Sequence, residues 1–326
     1  MKKNDVLDIL IFSKEKSPDV QKVVEWLDYF DTTYHIITPK SNLRIVNFQL
    51  LTDGEALFEI DVNNKTINIC RIKSCWIESG VVKNDFIKNI KIEDAVDKTI
   101  VKFLLSEWNI LIDYLFYKIE KQNCLGSRFY GFPNKLIQLE LATNLGLMVP
   151  GSLVFSEQLR IQGLQYRDFI TKPIQEVFNM VNKNEYYRSY TGRVNEKDLE
   201  LNKGCFPFLL QEYINKRFEL RIFYLQGKIY ACAIFSQQDE KTKLDFRINS
   251  ESLRMVPFQL PYFIEIKLKN LMHELKLVTG SIDMIYSNAG EYVFLEVNPV
   301  GIFDNISYLT NGFFHKKIAN YLAYES

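Results

Sequence analysis

The sequence predicts a mixed α/β and α+β fold spread over two or three lobes, and three observations carry that prediction. A strand, a helix and a second strand follow one another within residues 6–38, the order of a small α/β layer. A meander of short apolar strands joined by polar turns occupies residues 208–248. Nearer the C-terminus, two apolar runs at 282–286 and 292–297 flank Ser287-Asn288-Ala289-Gly290, which reads as a β-hairpin. At 326 residues the chain exceeds what one compact core usually holds.

Taken in order, residues 6–12 form a short apolar strand. Ser17-Pro18 starts a helix in which Val20, Val23, Val24, Leu27 and Phe30 recur at helical spacing. Residues 34–38 are the next strand. Strands at 48–51, 57–62 and 66–72 are separated by Thr-Asp-Gly and Asn-Asn-Lys turns, and 75–77 is a further strand. Residues 92–119 read as one or two helices. The stretch 122–133, rich in Asn, Gly, Ser and Pro and without a period, marks a lobe boundary. Asn134 caps a helix that runs to about Leu145, where Gly146 ends it, and 152–155 is a strand. Strands at 169–173 and 208–214 each end in polar residues. Three strands follow at 219–225, 228–236 and 242–248, and 258–278 is a helix or helix pair. After the hairpin come the loop 298–301 and a last helix at 314–324.

Composition narrows the function classes. Forty basic and forty acidic residues cancel, so no global field favours nucleic acid or an anionic membrane. No apolar run is long enough to span a bilayer, and the N-terminus lacks the apolar core of a signal peptide. Five scattered cysteines without a CxxC pair fit reduced thiols in the cytoplasm. Three isolated histidines make a zinc site an unfavoured reading.

The hairpin carries the chemistry. On its second strand a two-residue period puts Tyr292, Phe294, Glu296 and Asn298 on one face, with Glu296 and Asn298 roughly 7 Å apart. Asp283 lies at about the matching level of the first strand. Two carboxylates and an amide oxygen, with no His or Cys nearby, are hard-oxygen ligands suited to Mg²⁺, which completes its shell with water and substrate phosphates. Acidic residues on a hairpin also serve as solvated outer-face groups. Here the nearly continuous apolar strand favours burial on both faces, where a carboxylate needs a partner or a metal.

Other residues suit an anionic substrate. Lys172 ends an apolar strand directly before Pro173, a place for a phosphate-binding cation as well as for a surface lysine. Lys135 adds a charge to the positive end of a helix. Gln211, Glu212, Tyr213 and Ile214 offer backbone donors and acceptors suited to an adenine edge. Glu219 could accept hydrogen bonds from ribose hydroxyls. Arg221 and Arg247 could stabilise charge on a phosphoryl or acyl-phosphate group, and Asp245 is a candidate base. Taken singly, each residue type also makes surface salt bridges.

The order Lys135, Lys172, 211–214, Glu219-x-Arg221, Arg247, Asp283, Glu296-x-Asn298 resembles the ATP-grasp superfamily over residues 131–326. The resemblance implies an ATP-grasp fold with an N-terminal pre-ATP-grasp α/β domain at 1–130, a central lobe at 131–206 and a C-terminal lobe at 207–326, the last two clamping ATP. It implies that Asp283, Glu296 and Asn298 hold Mg²⁺, that Lys135 and Lys172 contact phosphates, and that 211–214 holds adenine. A narrower likeness covers almost the whole chain. Leu295-Glu-Val-Asn-Pro-Val-Gly-Ile-Phe303, Leu244-Asp-Phe-Arg247, Tyr190-Thr-Gly192 and Cys75-Trp-Ile-Glu-Ser-Gly80 resemble the ATP-grasp peptide maturases of the grasp-with-spasm type, the graspetide or microviridin-like macrocyclases.

That likeness implies a cytoplasmic, ADP-forming ligase. It would join Asp or Glu side chains of a ribosomal precursor peptide, made of a leader and a Thr/Asp/Glu-rich core, to Ser, Thr or Lys through ω-ester or ω-amide links. A homodimer is a family-level expectation. Two departures stand out: residues 173–189 are Asn-rich and lack the glycines of a phosphate flap, and Glu78 and Ser79 stand where relatives carry arginines, so neither stretch receives a role. An intermolecular amino-acid or peptide ligase and a non-catalytic ATP-binding module are the alternative readings.

Overall fold

The computed structural model describes residues 9–50, 56–79, 82, 87, 90–128, 134–155, 168–174, 179–182, 185–188, 191–194, 206–238, 243–244, 253–301 and 303–325. The chain folds as two compact units, one of Met1–Gly131 with Phe313–Ser326 and one of Phe132–Gly312.

The first unit holds β1 (Ile9–Phe12), α1 (Pro18–Tyr29), β2 (Tyr34–Ile37), β3 (Leu43–Leu50), β4 (Ala56–Val62), β5 (Lys65–Asn68), β6 (Ser74–Ile77), α2 (Ala95–Ile119) and β7 (Asn123–Leu125). Strands β2-β1-β6-β7 form a parallel sheet. Parallel neighbours require a crossover, and α1 supplies the one between β1 and β2. Ser17 caps that helix ahead of Pro18, as expected. Strands β3-β4-β5 form a separate antiparallel sheet. Helix α2 buries Trp108, Ile112, Leu115, Phe116 and Ile119 in one core with Leu10, Phe12, Phe58, Ile60 and Cys75.

Glu78, left without a role by the sequence, is structural. Its carboxylate is buried and accepts from the Ser13 hydroxyl (3.1 Å), the Lys14 amide (3.0 Å) and the Ser17 hydroxyl (3.2 Å), fastening the loop between β1 and α1. Gly126 has φ +80°, and a Cβ there would meet the Ile77 carbonyl at 2.4 Å, so glycine is required.

Three expectations need correction here. The strand expected over 66–72 stops at Asn68, whose side chain accepts from the Cys70 amide (2.9 Å) and turns residues 69–71 into a 3-10 turn. The stretch 122–133 contains β7, which is too short to show a period. The last helix, Phe314–Tyr324, belongs to the first unit and not to a C-terminal lobe. Its Leu322 carbonyl accepts from the Ser74 hydroxyl (2.7 Å), and His315 meets Asp19 (3.1 Å).

The second unit contains α3 (Lys135–Asn144), β8 (Ser152–Phe155), β9 (Phe169–Lys172), β10 (Asn179–Asn182), β11 (Glu185–Arg188), β12 (Gly192–Val194), β13 (Phe208–Glu212), β14 (Lys216–Leu225), β15 (Lys228–Ile234), β16 (Met255–Phe258), α4 (Tyr262–Glu274), β17 (Thr279–Ser287), β18 (Tyr292–Asn298) and α5 (Asp304–Leu309). Antiparallel β12-β9-β13-β8 make one sheet and antiparallel β16-β15-β14-β17-β18 another. The Asn-rich stretch 173–189 carries the antiparallel pair β10-β11.

Helix α4 is shorter than the expected 258–278. Pro261 stands at its N-cap, and residues 255–258 before it pair as a strand at the sheet's edge, where Pro257 is tolerated. Helix α5 follows a loop and was not anticipated. The strand expected over 242–248 lies outside the described residues except for 243–244.

Candidate active site

The five-stranded sheet has one apolar face and one chemical face, and alternation along its strands separates them. Leu220 and Ile222 of β14, Ala231 and Ala233 of β15, Ile282 and Met284 of β17, and Phe294 and Val297 of β18 pack against Leu139 and Ala142 of α3 and Ile264, Leu268 and Leu271 of α4. The intervening residues point the other way. In register across the sheet, Arg221 of β14 stands opposite Asp283 of β17, and Asp283 opposite Glu296 of β18. The three side chains therefore emerge in one row.

This row corrects the expected alternation on β18. The pairing shifts so that Met284 opposes Phe294 while Asp283 opposes Glu296, leaving Leu295 as the extra residue of a β-bulge. Phe294 accordingly lies in the core with Val297, and Tyr292 packs against that core. Glu296 thus occupies the face opposite to Phe294, where it meets Asp283.

The row is charge-balanced. The Arg221 guanidinium spans both Asp283 oxygens at 2.6 and 2.7 Å, and Lys135 at the start of α3 binds Glu296 at 2.7 Å. Side-chain exposures of 11–19% put both pairs in partial burial, where an unpaired charge would be costly. Asn298 donates to Asp283 Oδ2 at 3.4 Å. Lys135 also donates to the Pro173 carbonyl at 3.3 Å, which joins the end of β9, and so Lys172, to the end of β18.

Gln138, one turn after Lys135, was missed by sequence reasoning. Its buried amide donates to the Val297 carbonyl (2.9 Å) and accepts from the Val297 amide (2.7 Å), so it completes the outer edge of β18 and fixes α3 beside Glu296. The i,i+3 spacing from Lys135 was its visible signal. The Asn298-Pro-Val-Gly301 loop folds back closely, since a Cβ on Gly301 would lie 2.2 Å from Ser281.

Glu219 sits two residues before Arg221 on the same face. It is buried, and its Oε1 accepts from Lys216 (2.6 Å) and from the Ser236 hydroxyl (2.7 Å). Burial raises its carboxyl above the ordinary value, and the opposing pull of Lys216 and then Ser236 only partly offsets this. Neither Lys216 nor Ser236 was singled out from sequence. Cys232, opposite Arg221 in register, is buried, which raises its thiol to about 11.

Segment 211–214 leaves the end of β13. Gln211 is buried, donates to the Ser152 hydroxyl (2.9 Å) and keeps its Oε1 without a hydrogen-bond partner among the described residues. The amides of Glu212 and Tyr213 donate to the carbonyls of Gly151 and Asp168 (both 2.8 Å), and Arg193 lies 4.1 Å over the Tyr213 ring. Ile214 is half-buried. Asp245 and Arg247 lie outside the described residues. The structure thus brings together Lys135, Arg221, Asp283, Glu296 and Asn298, with Glu219 adjoining on the same face.

No protein-family model and no curated protein matches this chain. Solved structures do. A RiPP-associated ATP-grasp ligase of Chryseobacterium gregarium, in complex with ADP and a leader and core peptide, is 24% identical, with a TM-score of 0.76 over 97% of this chain and 95% of that one. The chain has the ATP-grasp fold. Macrocyclase MdnC of Microcystis aeruginosa MRC, bound with precursor peptide MdnA, is 23% identical, with a TM-score of 0.77 over 98% of this chain and 100% of that one. The ATP-grasp ligase PsnB, complexed with a variant of its minimal precursor, Mg and ADP, is 17% identical, with a TM-score of 0.68 over 97% of each chain.

Asp283, Glu296 and Asn298 present hard oxygens at one end of a hairpin, a donor set that suits Mg²⁺ better than a soft metal. Lys135 and Arg221 beside them suit the anionic oxygens of a nucleotide.

Proposed function

We propose that this protein is an ATP-dependent, ADP-forming peptide macrocyclase that links Asp or Glu side chains of a ribosomal precursor peptide to its Ser, Thr or Lys side chains. The observation that carries the reading is the row Arg221–Asp283–Glu296–Lys135, with Asn298 beside it, on one face of an ATP-grasp sheet. Support for the substrate class comes from the precursor peptides bound in the similar C. gregarium, MdnC and PsnB structures.

In this reading Asp283, Glu296 and Asn298 hold Mg²⁺, which neutralises phosphate oxygens when bound. Lys135 and Lys172 orient the phosphates, the 211–214 segment faces adenine, and Glu219 faces the ribose. With the Glu212 and Tyr213 amides already engaged, adenine is read by the remaining main-chain groups of that segment. A peptide carboxylate attacks the γ-phosphoryl group and becomes an acyl-phosphate as ADP leaves. A hydroxyl or amine of the same peptide attacks the acyl carbon, loses its proton to Asp245, and releases phosphate. Arg247, assisted by Arg221, neutralises the acyl-phosphate. Holding both ends of one peptide removes a second encounter from the reaction.

The three-lobe division at 130 and 206 and a cytoplasmic setting belong to the same proposal. Four described cysteines are free, and no described helix is long and apolar enough to cross a membrane. The homodimer finds a candidate face on α2. Val96, Phe103, Ile110 and Tyr117 recur every seven residues with Ile100 between them, all exposed, opposite the helix face buried in the core.

ADP production tests the enzymatic reading. The wild-type protein should release ADP when ATP, Mg²⁺ and the precursor peptide are all present. Bound ATP without ADP release under those conditions would instead identify a non-catalytic module.

A further inference from the structure

A second β-bulge lies on the chemical face, and the proposed chemistry leaves it unexplained. Pairing of β14 with β17 shifts between Lys216, opposite Ser287, and Phe218, opposite Tyr286, so Arg217 is the extra residue. In unbroken alternation Lys216 would share the face of Phe218 and Leu220 and enter the apolar core. The bulge turns it over. Lys216 is 6% exposed, and its ammonium reaches Glu219 Oε1 at 2.6 Å and the Leu244 carbonyl at 3.3 Å.

Ser236, fully buried, donates to the same Oε1 at 2.7 Å. Gln237 donates to the Ser236 hydroxyl at 3.3 Å and to the Lys243 carbonyl at 3.1 Å. Both donors to Glu219 thus converge on one oxygen, and its Oε2 accepts no hydrogen bond among the described residues. Apolar replacements of buried ion pairs are often neutral or stabilising, so stability alone does not explain a lysine turned inward by a bulge.

We infer that Lys216 is a positioning residue: with Ser236 it grips one oxygen of Glu219 and leaves the other directed at the ribose hydroxyls of the bound nucleotide. The inference rests on the nucleotide-binding part of the function proposed above and does not depend on the peptide chemistry. Lys216 also fastens the main chain at Leu244, which immediately precedes Asp245 in sequence.

Calorimetric binding of ATP and of its 2′,3′-dideoxy analogue tests this. Wild type should prefer ATP by about 10-fold or more, the worth of a hydrogen bond to a charged group. Lys216→Met should erase that preference while leaving affinity for the dideoxy analogue within about threefold, a change too small to represent one such bond. Lys216→Arg should restore part of the preference, and Ser236→Ala, a milder change that keeps Lys216 in place, should reduce it in the same direction. Arg217→Ala, on the exposed side of the bulge, should match wild type. Equal weakening of both nucleotides in Lys216→Met and Ser236→Ala would show a merely structural role and overturn the inference. A wild type that binds ATP and its dideoxy analogue equally would overturn it as well. Absence of any nucleotide binding by wild type would instead defeat the functional reading, and hydrogen exchange then decides the contact itself. Ladder amides of β14 around Glu219 should exchange faster in Lys216→Met, and unchanged exchange would refute the contact.

Discussion

Glu219 shows how one side chain can report its surroundings through pH. Its carboxyl is raised by burial and lowered by Lys216 and Ser236. A raised carboxyl keeps its proton in the fold at pH values where the unfolded chain has lost it. Its contribution to stability is therefore full below the unfolded value and is lost as pH rises through the folded one. Ser236→Ala removes a donor to the charged form and pushes the folded value higher. The variant should lose about 1–2 kcal/mol in urea melts at about pH 8, with a smaller deficit at about pH 5. The same deficit at both pH values would mean that Ser236 does not act through this carboxylate. The residues of this site were unequally legible in sequence. Asp283, Glu296 and Asn298 stood out because carboxylates in a nearly continuous apolar hairpin need a reason. Gln138, Lys216 and Ser236 did not, because Gln138 pairs with a remote main chain, Lys216 shares a face with Glu219 only through the bulge at Arg217, and Ser236 reaches Glu219 from beyond the end of β15.

At the scale of elements, the two bulges decide which charges reach the chemical face. The hairpin itself was readable from its apolar runs and the turn at 287–290. The extra residue at Leu295 was not, because Phe-Leu-Glu-Val reads equally well with or without a shift of one position. The short strands Asn123–Leu125 and Met255–Phe258 were missed for a related reason, since three or four residues hold too little of a period to recognise. The bulge on β18 makes a direct prediction. Phe294 is fully buried, so Phe294→Ala should cost about 3–5 kcal/mol, whereas Leu295→Ala, half-buried at the bulge, should cost less than about 2 kcal/mol. Regular alternation without the bulge would place Leu295 in the core and reverse the two values. Chemical denaturation of both variants distinguishes the registers.

Over the whole molecule, the chain forms two compact units, and the return of the last helix to the first of them is a tertiary event. It depends on contacts such as Ser74 to the Leu322 carbonyl, which no local pattern announces. The exposed seven-residue stripe of α2 bears on assembly. A dimer interface of ordinary size buries about 800 Å² per partner, and a glutamate in its middle would be an uncompensated charge. Ile110→Glu should convert a dimer to a folded monomer in light scattering. A wild type that is monomeric at all accessible concentrations would remove this face from consideration.

The central claim, a ligase that closes rings within one peptide, is tested most directly by weighing the precursor peptide after co-expression with this protein. The account predicts loss of one or more whole waters from the peptide, abolished in Glu296→Ala, which lacks the carboxylate proposed to hold Mg²⁺. An unchanged mass with the wild-type protein, or a peptide made heavier by a joined acceptor, would contradict it.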